Sequence, residues 1–568
     1  MHAAMMAIPA NATRNPTGLH LPSRAAVNAG KPKMLAPIMV LMISATRHQR
    51  PIVRTSSPGD SVKCAPACSF FHGIPVAFQI SGASVAQLCM SDTSVRSQLT
   101  TRKTHPAPRM RLSSLLQFFP GHLMPTSDGL FPRNLKKVYP IAVRGEGCWI
   151  VAADGRRFLD ASGQAAVVSI GHGVPEIGRA IAEQSSQIAF AHTSQFHTAP
   201  AEKLAERLLA MAPPNVRHGG RVYFTSGGSE ATETAIKLAR QFHVEGRQKY
   251  RYRVLSRRQS YHGSTLGAMS VSGNVARRAL YEPLLAEWGH IAPCFCYHCP
   301  FEKTFPQCEL ACADDLEVYL LEHEPEKAAA FIFEPVVGAT LGAAVPPEGY
   351  TARIAEICRK NGVLLIADEV MSGMGRTGKP FAAQHWVAEP DMILVGKGVA
   401  SGYAPLGAVL VSARVVAAFE HGSGAFIHGF TYQAHPVCTV AGNAVLDYLE
   451  LHKLFDRVAP AAKNLHDALS PLQSHPHIGD IRGLGLLLGV EFVRDKVTRE
   501  PFPREQNIAE KIHQTCLDEN ALTYPTQGGV DGLRGDHILL APPFTISREE
   551  CVLIGRALQS AVAKVFSA

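Results

Sequence analysis

From about Gly145 to about Leu454, short apolar runs alternate with segments of helical periodicity, and this alternation limits the possible folds more than any other feature of the 568-residue chain. The apolar runs fall at 222–225, 252–255, 330–334, 363–368, 392–395 and 408–411. Helical patterns occupy 202–211, 229–241, 350–360 and 437–450. A strand that is apolar on consecutive residues has both faces covered, and a helix between two strands returns the chain so that they run parallel. The pattern predicts an α/β protein with a parallel-dominated sheet flanked by helices. Beyond 454 it gives way to a smaller α+β unit, with strands near 486–492 and 538–541 and a terminal helix from Arg548.

The first 127 residues have a different texture. They carry 13 Lys or Arg against two acids, Asp60 and Asp92, a local charge of +11 in a chain whose total is +9, so the other 441 residues sum to −2. The basic excess belongs to this leader and gives no ground for a nucleic-acid partner. Poverty in acids with interspersed Arg resembles an organellar transit peptide; a disordered extension and translated non-coding sequence fit the composition as well. The 13 cysteines are scattered in a chain too large to need disulfide staples, which suits a reducing compartment. No apolar run reaches the roughly 18–20 residues that span a bilayer. A cytoplasmic protein is expected, or a mitochondrial one if the leader includes a transit peptide, with no membrane partner.

Four motifs on this framework carry chemistry. The run at 222–225 ends in Ser226-Gly227-Gly228-Ser229 and passes straight into a helix, whose first turn has unpaired N–H groups and the positive end of the helix dipole. Gly227 and Gly228 let the backbone approach an anion and Ser229 adds a hydroxyl, so the turn can hold a phosphate; an ordinary capped strand–turn–helix would read the same. Tyr261, in Ser260-Tyr261-His262-Gly263, offers a face to a planar ring, or else packs in the core. The run 363–367 delivers Asp368 at a strand end. A buried acid is costly unless paired, and a pyridinium N–H would pair it; a helix cap or surface acid is the plain alternative. The run 392–395 ends in Gly396-Lys397-Gly398. A lysine at the rim of an apolar core has its ammonium disfavoured, which makes the amine nucleophilic, whereas strand-end lysines are commonly solvated charges. The combination, in this order on one sheet, favours the chemical reading of each.

Residues from about 137 to the C-terminus resemble the class III (omega-type) aminotransferases of PLP fold type I, through SGGSEATE, YHGST, FEPVVG, ADEVMSGMGRTG, VGKGVASGYAPLGAV and GFTYQAHPV. The resemblance implies a large domain over 191–453 with a mostly parallel seven-stranded sheet, and a smaller α+β domain built from 128–190 and 454–568. It implies pyridoxal 5′-phosphate as cofactor, joined to Lys397 as a Schiff base, with Asp368 at the pyridine nitrogen. Gly228 and Ser229 would hold the phosphate, Tyr261 with His262 beside it one ring face, and Val370 the other. Thr431 matches a threonine that reaches the phosphate of the neighbouring subunit, which implies a homodimer with shared active sites. The implied reaction moves an amino group from an amine or omega-amino acid to a keto acid. A same-fold aminomutase or decarboxylase, and an inactive scaffold or zinc-binding homologue, are the competing readings. Met371 departs from the pattern: many relatives carry Gln there, whose amide meets the ring hydroxyl, and a thioether cannot make that bond.

Glu334 resembles a family glutamate that in some members pairs with a mobile arginine. Arg534 is the nearest match to an arginine that grips a substrate carboxylate with both nitrogens, or else a surface residue paired with Asp536. Cys294, Cys296, His298, Cys299, Cys308 and Cys312 cluster within 19 residues. Such density suits zinc, but the six together match no standard knuckle; reduced cysteines in a surface insertion are the adopted reading, with no metal ligand assigned.

Overall fold

The computed structural model describes residues 129–567 apart from Val387, so the expectations for residues 1–127 lie outside the described residues. Its centre is a seven-stranded sheet of β1 (Arg221–Thr225), β2 (Arg253–Arg257), β3 (His290–Ile291), β4 (Ala328–Phe333), β5 (Leu364–Asp368), β6 (Met392–Val395) and β7 (Gly407–Val411). The spatial order is β1-β7-β6-β5-β4-β2-β3. The pairs from β3 through β6 are parallel, and β7 alone is reversed, antiparallel to both β6 and β1. The expected mostly parallel sheet is therefore present, with one strand turned.

Side-chain alternation explains why these runs are apolar throughout. Ala330 and Ile332 of β4 enter one core while Phe331 and Phe333 enter the core on the opposite face. Helix α1 (Gly228–Glu245) covers the first face with Ala231, Ala235, Leu238 and Ala239, a helical stripe of mostly small residues, against Val254, Ile332, Ile366 and Leu394. Ile354 and Ile357 of the helix Tyr350–Lys360 cover the second.

Two four-stranded sheets flank this body. In one, Arg157–Asp160 pairs in parallel with Ala521–Leu522, joining the N-terminal and C-terminal parts of the chain. In the other, Leu488–Phe492 lies between Ile478–Gly483 and Asp536–Leu540, with Tyr524–Gln527 at the edge. The predicted terminal helix runs Arg548–Phe566, its start fixed by a reciprocal cap between Ser547 and Glu550. Just after Asp160, residues 163–166 form a left-handed turn, with φ of 56°, 50°, 64° and 60°. Three of the four are not glycine, and each pays on the order of 1 kcal/mol for that conformation.

Candidate active site

The parallel strands end on one edge of the sheet, where open α/β sheets place their ligands. There Gly228, Ser229, Tyr261, His262, Glu334, Asp368, Val370 and Lys397 line a single cavity, joined by Gly263, Val336 and Met371. Eight residues singled out in the sequence thus converge from β1, β2, β4, β5, β6 and the loops after them.

Lys397 opens a short 3₁₀ turn after β6 and has φ of 44°, again in the left-handed region. Its Nζ donates to the carbonyl of Ala165, at 2.9 Å, on the left-handed turn. Burial brings the amine down from the usual lysine range to about 8, against the opposing pull of Asp368 and Glu334.

Asp368 is the last residue of β5 and is buried. Its Oδ1 accepts the Val370 N–H at 3.1 Å, and its Oδ2 lies 2.7 Å from Nδ1 of His262. The His262 Nε2 is buried and has no partner among the described residues. Glu334 follows β4. Its carbonyl accepts from Arg257 Nη2 at 2.6 Å, while its Oε2, buried and without a hydrogen bond among the described residues, stands 3.9 Å from the same nitrogen. Burial pushes the Glu334 carboxyl up to about 7, tempered by His262 and Arg257.

At the start of α1, Ala231 is the first residue whose N–H finds an acceptor within the turn, Gly227 O at 3.0 Å. The earlier N–H groups are left for an outside acceptor. Gly228 is held to glycine by close approach, since a Cβ there would lie 2.9 Å from Val370 Cγ1. Gly263, at φ of 136°, backs onto Ser229: a Cβ would lie 2.7 Å from the Ser229 Oγ, which accepts the Ser264 N–H at 3.0 Å. Tyr261 bonds Ser264 through its hydroxyl at 2.8 Å, and the Arg277 guanidinium lies 4.5 Å over its ring. Met371 packs its sulfur against Gly338, where a Cβ would come within 2.5 Å of Sδ.

Two predicted residues do not join the cavity. Thr431 is exposed on its own chain. Arg534 is also exposed and bonds Asp531 through Nε at 2.6 Å. The suggested pairing with Asp536 is not made, because that carboxylate is buried and accepts from the Ala509 N–H and from Gln527, each at 3.0 Å.

Sequence reasoning missed several supporting groups. Arg257 is buried beneath Glu334, between the rings of Phe333 and Tyr350. Glu369 faces away from Asp368 and accepts the N–H groups of Ala382 and Ala383 and the Ser372 hydroxyl, so it holds the loop after β5. Arg376 donates to the carbonyls of Val168 and Ala541, each at 3.1 Å, tying the chain around the left-handed turn to the C-terminal sheet. The RTG after the strand-end acids was the available signal for Arg376. Nothing in the sequence pointed to Ala165.

The sequence profile described as aminotransferase class-III matches residues 130–562. The aminotransferase YodT of Bacillus subtilis is 38% identical over 442 residues, covering 77% of this chain and 99% of that protein. Adenosylmethionine-8-amino-7-oxononanoate aminotransferase of Methanocaldococcus jannaschii is 32% identical, covering 74% of this chain and 92% of that one. Among solved structures, an (S)-enantioselective omega-transaminase from Thermomicrobium roseum superposes with a TM-score of 0.72 at 36% identity, over 77% of this chain and 96% of its own. A PLP-bound amine transaminase from an uncultivated Pseudomonas species gives 0.71 at 34% identity, over 78% and 98%. With a family match over residues 130–562 and the fold shared with these solved structures, the chain belongs to the class III aminotransferases and has PLP fold type I.

Proposed function

We propose that this aminotransferase works with pyridoxal 5′-phosphate held covalently by Lys397, taking the amino group from an amine or omega-amino acid and giving it to a keto acid. The observation that carries the reading is a strand-end lysine lining the same cavity as a buried carboxylate and a helix N-terminus whose first N–H groups have no acceptor within the turn. The residues fit the cofactor at each end. The first turn of α1 and the Ser229 hydroxyl suit a phosphate. Asp368 suits a protonated ring nitrogen, and its bond to His262 keeps it aimed. Two buried polar atoms, His262 Nε2 and Glu334 Oε2, are short of partners that a bound polar ligand can supply.

When bound, the cofactor supplies a carbonyl carbon that condenses with amines and a ring that takes up the electron pair of the substrate carbon. The protein's work is then proton handling and placement. The neutral Lys397 Nζ takes the proton from the donor's carbon and returns one on the acceptor's side. While the amine is free, its bond to Ala165 O keeps it in the cavity. Val370 and Tyr261 restrict the ring between them. Glu334 meets the substrate side, and Arg534 serves a substrate carboxylate once it leaves Asp531. Thr431 reaches the phosphate of a second copy in a homodimer. The exposed Phe196, Ile427 and Tyr432, the last near Phe190 with ring centroids 6.0 Å apart, supply apolar surface suited to such a partner. No helix among the described residues is long and apolar enough to cross a membrane, and the cytoplasm remains our reading of its location.

Borohydride reduction of the purified enzyme, followed by peptide mass analysis, tests the assignment. A pyridoxyl adduct is expected on Lys397, and Lys397→Ala is expected to lose both adduct and turnover, the latter by on the order of 10³-fold or more, with its circular dichroism kept. An adduct on another residue, or near-normal turnover in that variant, overturns the proposal. A panel of amine donors against pyruvate and 2-oxoglutarate then assigns the substrates.

A further inference from the structure

A keto acid brings a negative charge to the reacting centre, and the cavity lining offers no lysine or arginine free to receive it. Its charged side chains are two acids, Glu334 and Asp368, and Lys397, whose amine is assigned to the cofactor. The arginines around it are mostly committed. Arg257 is buried and donates to Cys294 Sγ at 2.8 Å and to the Glu334 carbonyl at 2.6 Å. Arg376 is buried and spent on main-chain carbonyls. Arg534 holds Asp531. Arg278 donates through Nη1 to the Met269, Ser270 and Ser272 carbonyls, at 3.0, 2.9 and 2.9 Å, and through Nη2 to Glu282 at 2.9 Å.

Its neighbour Arg277 differs. That residue is exposed, and among the described residues its side chain makes neither a hydrogen bond nor an ion pair. The guanidinium lies 4.5 Å over the ring of Tyr261, which lines the cavity. An aromatic face attracts a guanidinium and leaves its N–H donors available to a carboxylate. The backbone beneath is fixed: the Gln259 N–H donates to the Gly273 carbonyl at 2.9 Å, the Gly273 N–H to Ser260 Oγ at 3.0 Å, and the His262 N–H to Ser272 Oγ at 2.8 Å. Asn274 Oδ1 then accepts the Arg277 N–H at 3.0 Å. Residues 259–262 and 272–277 are thus stitched together, which sets Arg277 on the wall that carries Tyr261. The Lys397 amine, lowered chiefly by burial, also feels the charge of Arg277.

We propose that Arg277 is the first guanidinium to meet the carboxylate of the keto acid, ahead of Arg534, and so sets the preference for acceptors that carry one. Arg534 has to give up the Asp531 carboxylate before it can take another, whereas Arg277 exchanges only water and the Tyr261 face. Its two terminal nitrogens suit the two carboxylate oxygens. With the carboxylate held at the Tyr261 wall, the acceptor's carbonyl carbon is directed into the cavity toward Lys397. This role rests on the transamination proposed above and names the group that selects its acceptor.

The test uses the holoenzyme with one amine donor and two acceptors of equal carbon number, pyruvate and propanal, the second without a carboxylate. In Arg277→Gln the ratio of kcat/KM for pyruvate to that for propanal is expected to fall at least about tenfold, mostly through the KM for pyruvate. Arg277→Lys is expected to recover part of the loss, and Arg534→Gln to lower the ratio less than Arg277→Gln does. Binding of propionate, which has a carboxylate and no carbonyl to react, is followed by calorimetry and is expected to weaken at least about fivefold in Arg277→Gln. Where Arg277→Gln does not fold, Arg277→Lys decides, with a loss of about threefold expected in both measurements. An unchanged ratio, an equal loss with both acceptors, undiminished propionate binding, or a larger drop in Arg534→Gln would each overturn the role of Arg277. A wild type that turned over neither acceptor would instead overturn the transaminase reading, and the propionate titration would then decide Arg277 alone.

Discussion

Lys397 sheds its charge as pH rises through about 8, because burial disfavours the ammonium more than Asp368 and Glu334 favour it. Only the neutral amine is nucleophilic. In cofactor-free protein the rate of covalent capture of pyridoxal phosphate is therefore expected to fall roughly tenfold per pH unit below that value and to level off above it. Stopped-flow absorbance across pH 6 to 10 checks this, and a rate still climbing steeply at about pH 10 would indicate an ordinary lysine. Lys397 and Asp368 were legible in the sequence because residue type and strand-end position both carry meaning. Asp368 and Glu369 are adjacent, however, and composition alone does not say which faces the cavity. The pleat decides it, turning one to His262 and the other to the Ala382–Ala383 backbone. Ala165 was illegible for a deeper reason: it acts through its carbonyl, which every residue has.

Among the elements, β5 is the central strand that delivers Asp368, and Ile366 within it is fully buried beneath α1. Ile366→Ala is expected to destabilise the protein by about 2–5 kcal/mol, and Ile366→Val by about 0.5–1.5 kcal/mol. Denaturant unfolding of the two variants beside wild type measures the difference; equal midpoints would mean that this face of the sheet is not close-packed. The apolar runs made the interior strands legible, and β6 occurs at the predicted 392–395. The run at 252–255 extends in the structure to Arg257, since Ser256 and Arg257 are buried in the strand despite their polarity. They are tolerated because Ser256 Oγ reaches the Val271 carbonyl and Arg257 the Glu334 carbonyl. The edge strand β3 has only two residues, too few for periodicity to register. The left-handed turn at 163–166 also has no pattern, because tertiary contacts rather than glycine sustain it.

At the scale of the whole molecule, the family match begins at residue 130, and every cavity-lining residue lies beyond it. Removing residues 1–127 is expected to leave the specific activity of purified enzyme unchanged, read by the same amine-donor assay; loss of soluble, active protein would assign those residues a part in folding or assembly. Chain direction was the feature of the architecture that the runs did not encode. Nothing in residues 408–411 distinguishes a strand that runs with its neighbours from one that runs against them, since both are buried on two faces.

The reversal of β7 has a bearing on how the anion seat tolerates change. Because that strand enters where its neighbours leave, Gly407 stands opposite Thr225, and a Cβ there would come within 2.7 Å of the Thr225 Oγ1 and 2.8 Å of the Gly227 carbonyl oxygen. The underside of the glycine turn is thus a bare patch of main chain contributed from far along the polypeptide. Drift at that distant position would lift the turn like a wedge beneath a shelf, and the enzyme would lose its grip on phosphate without a single altered residue in sight of it.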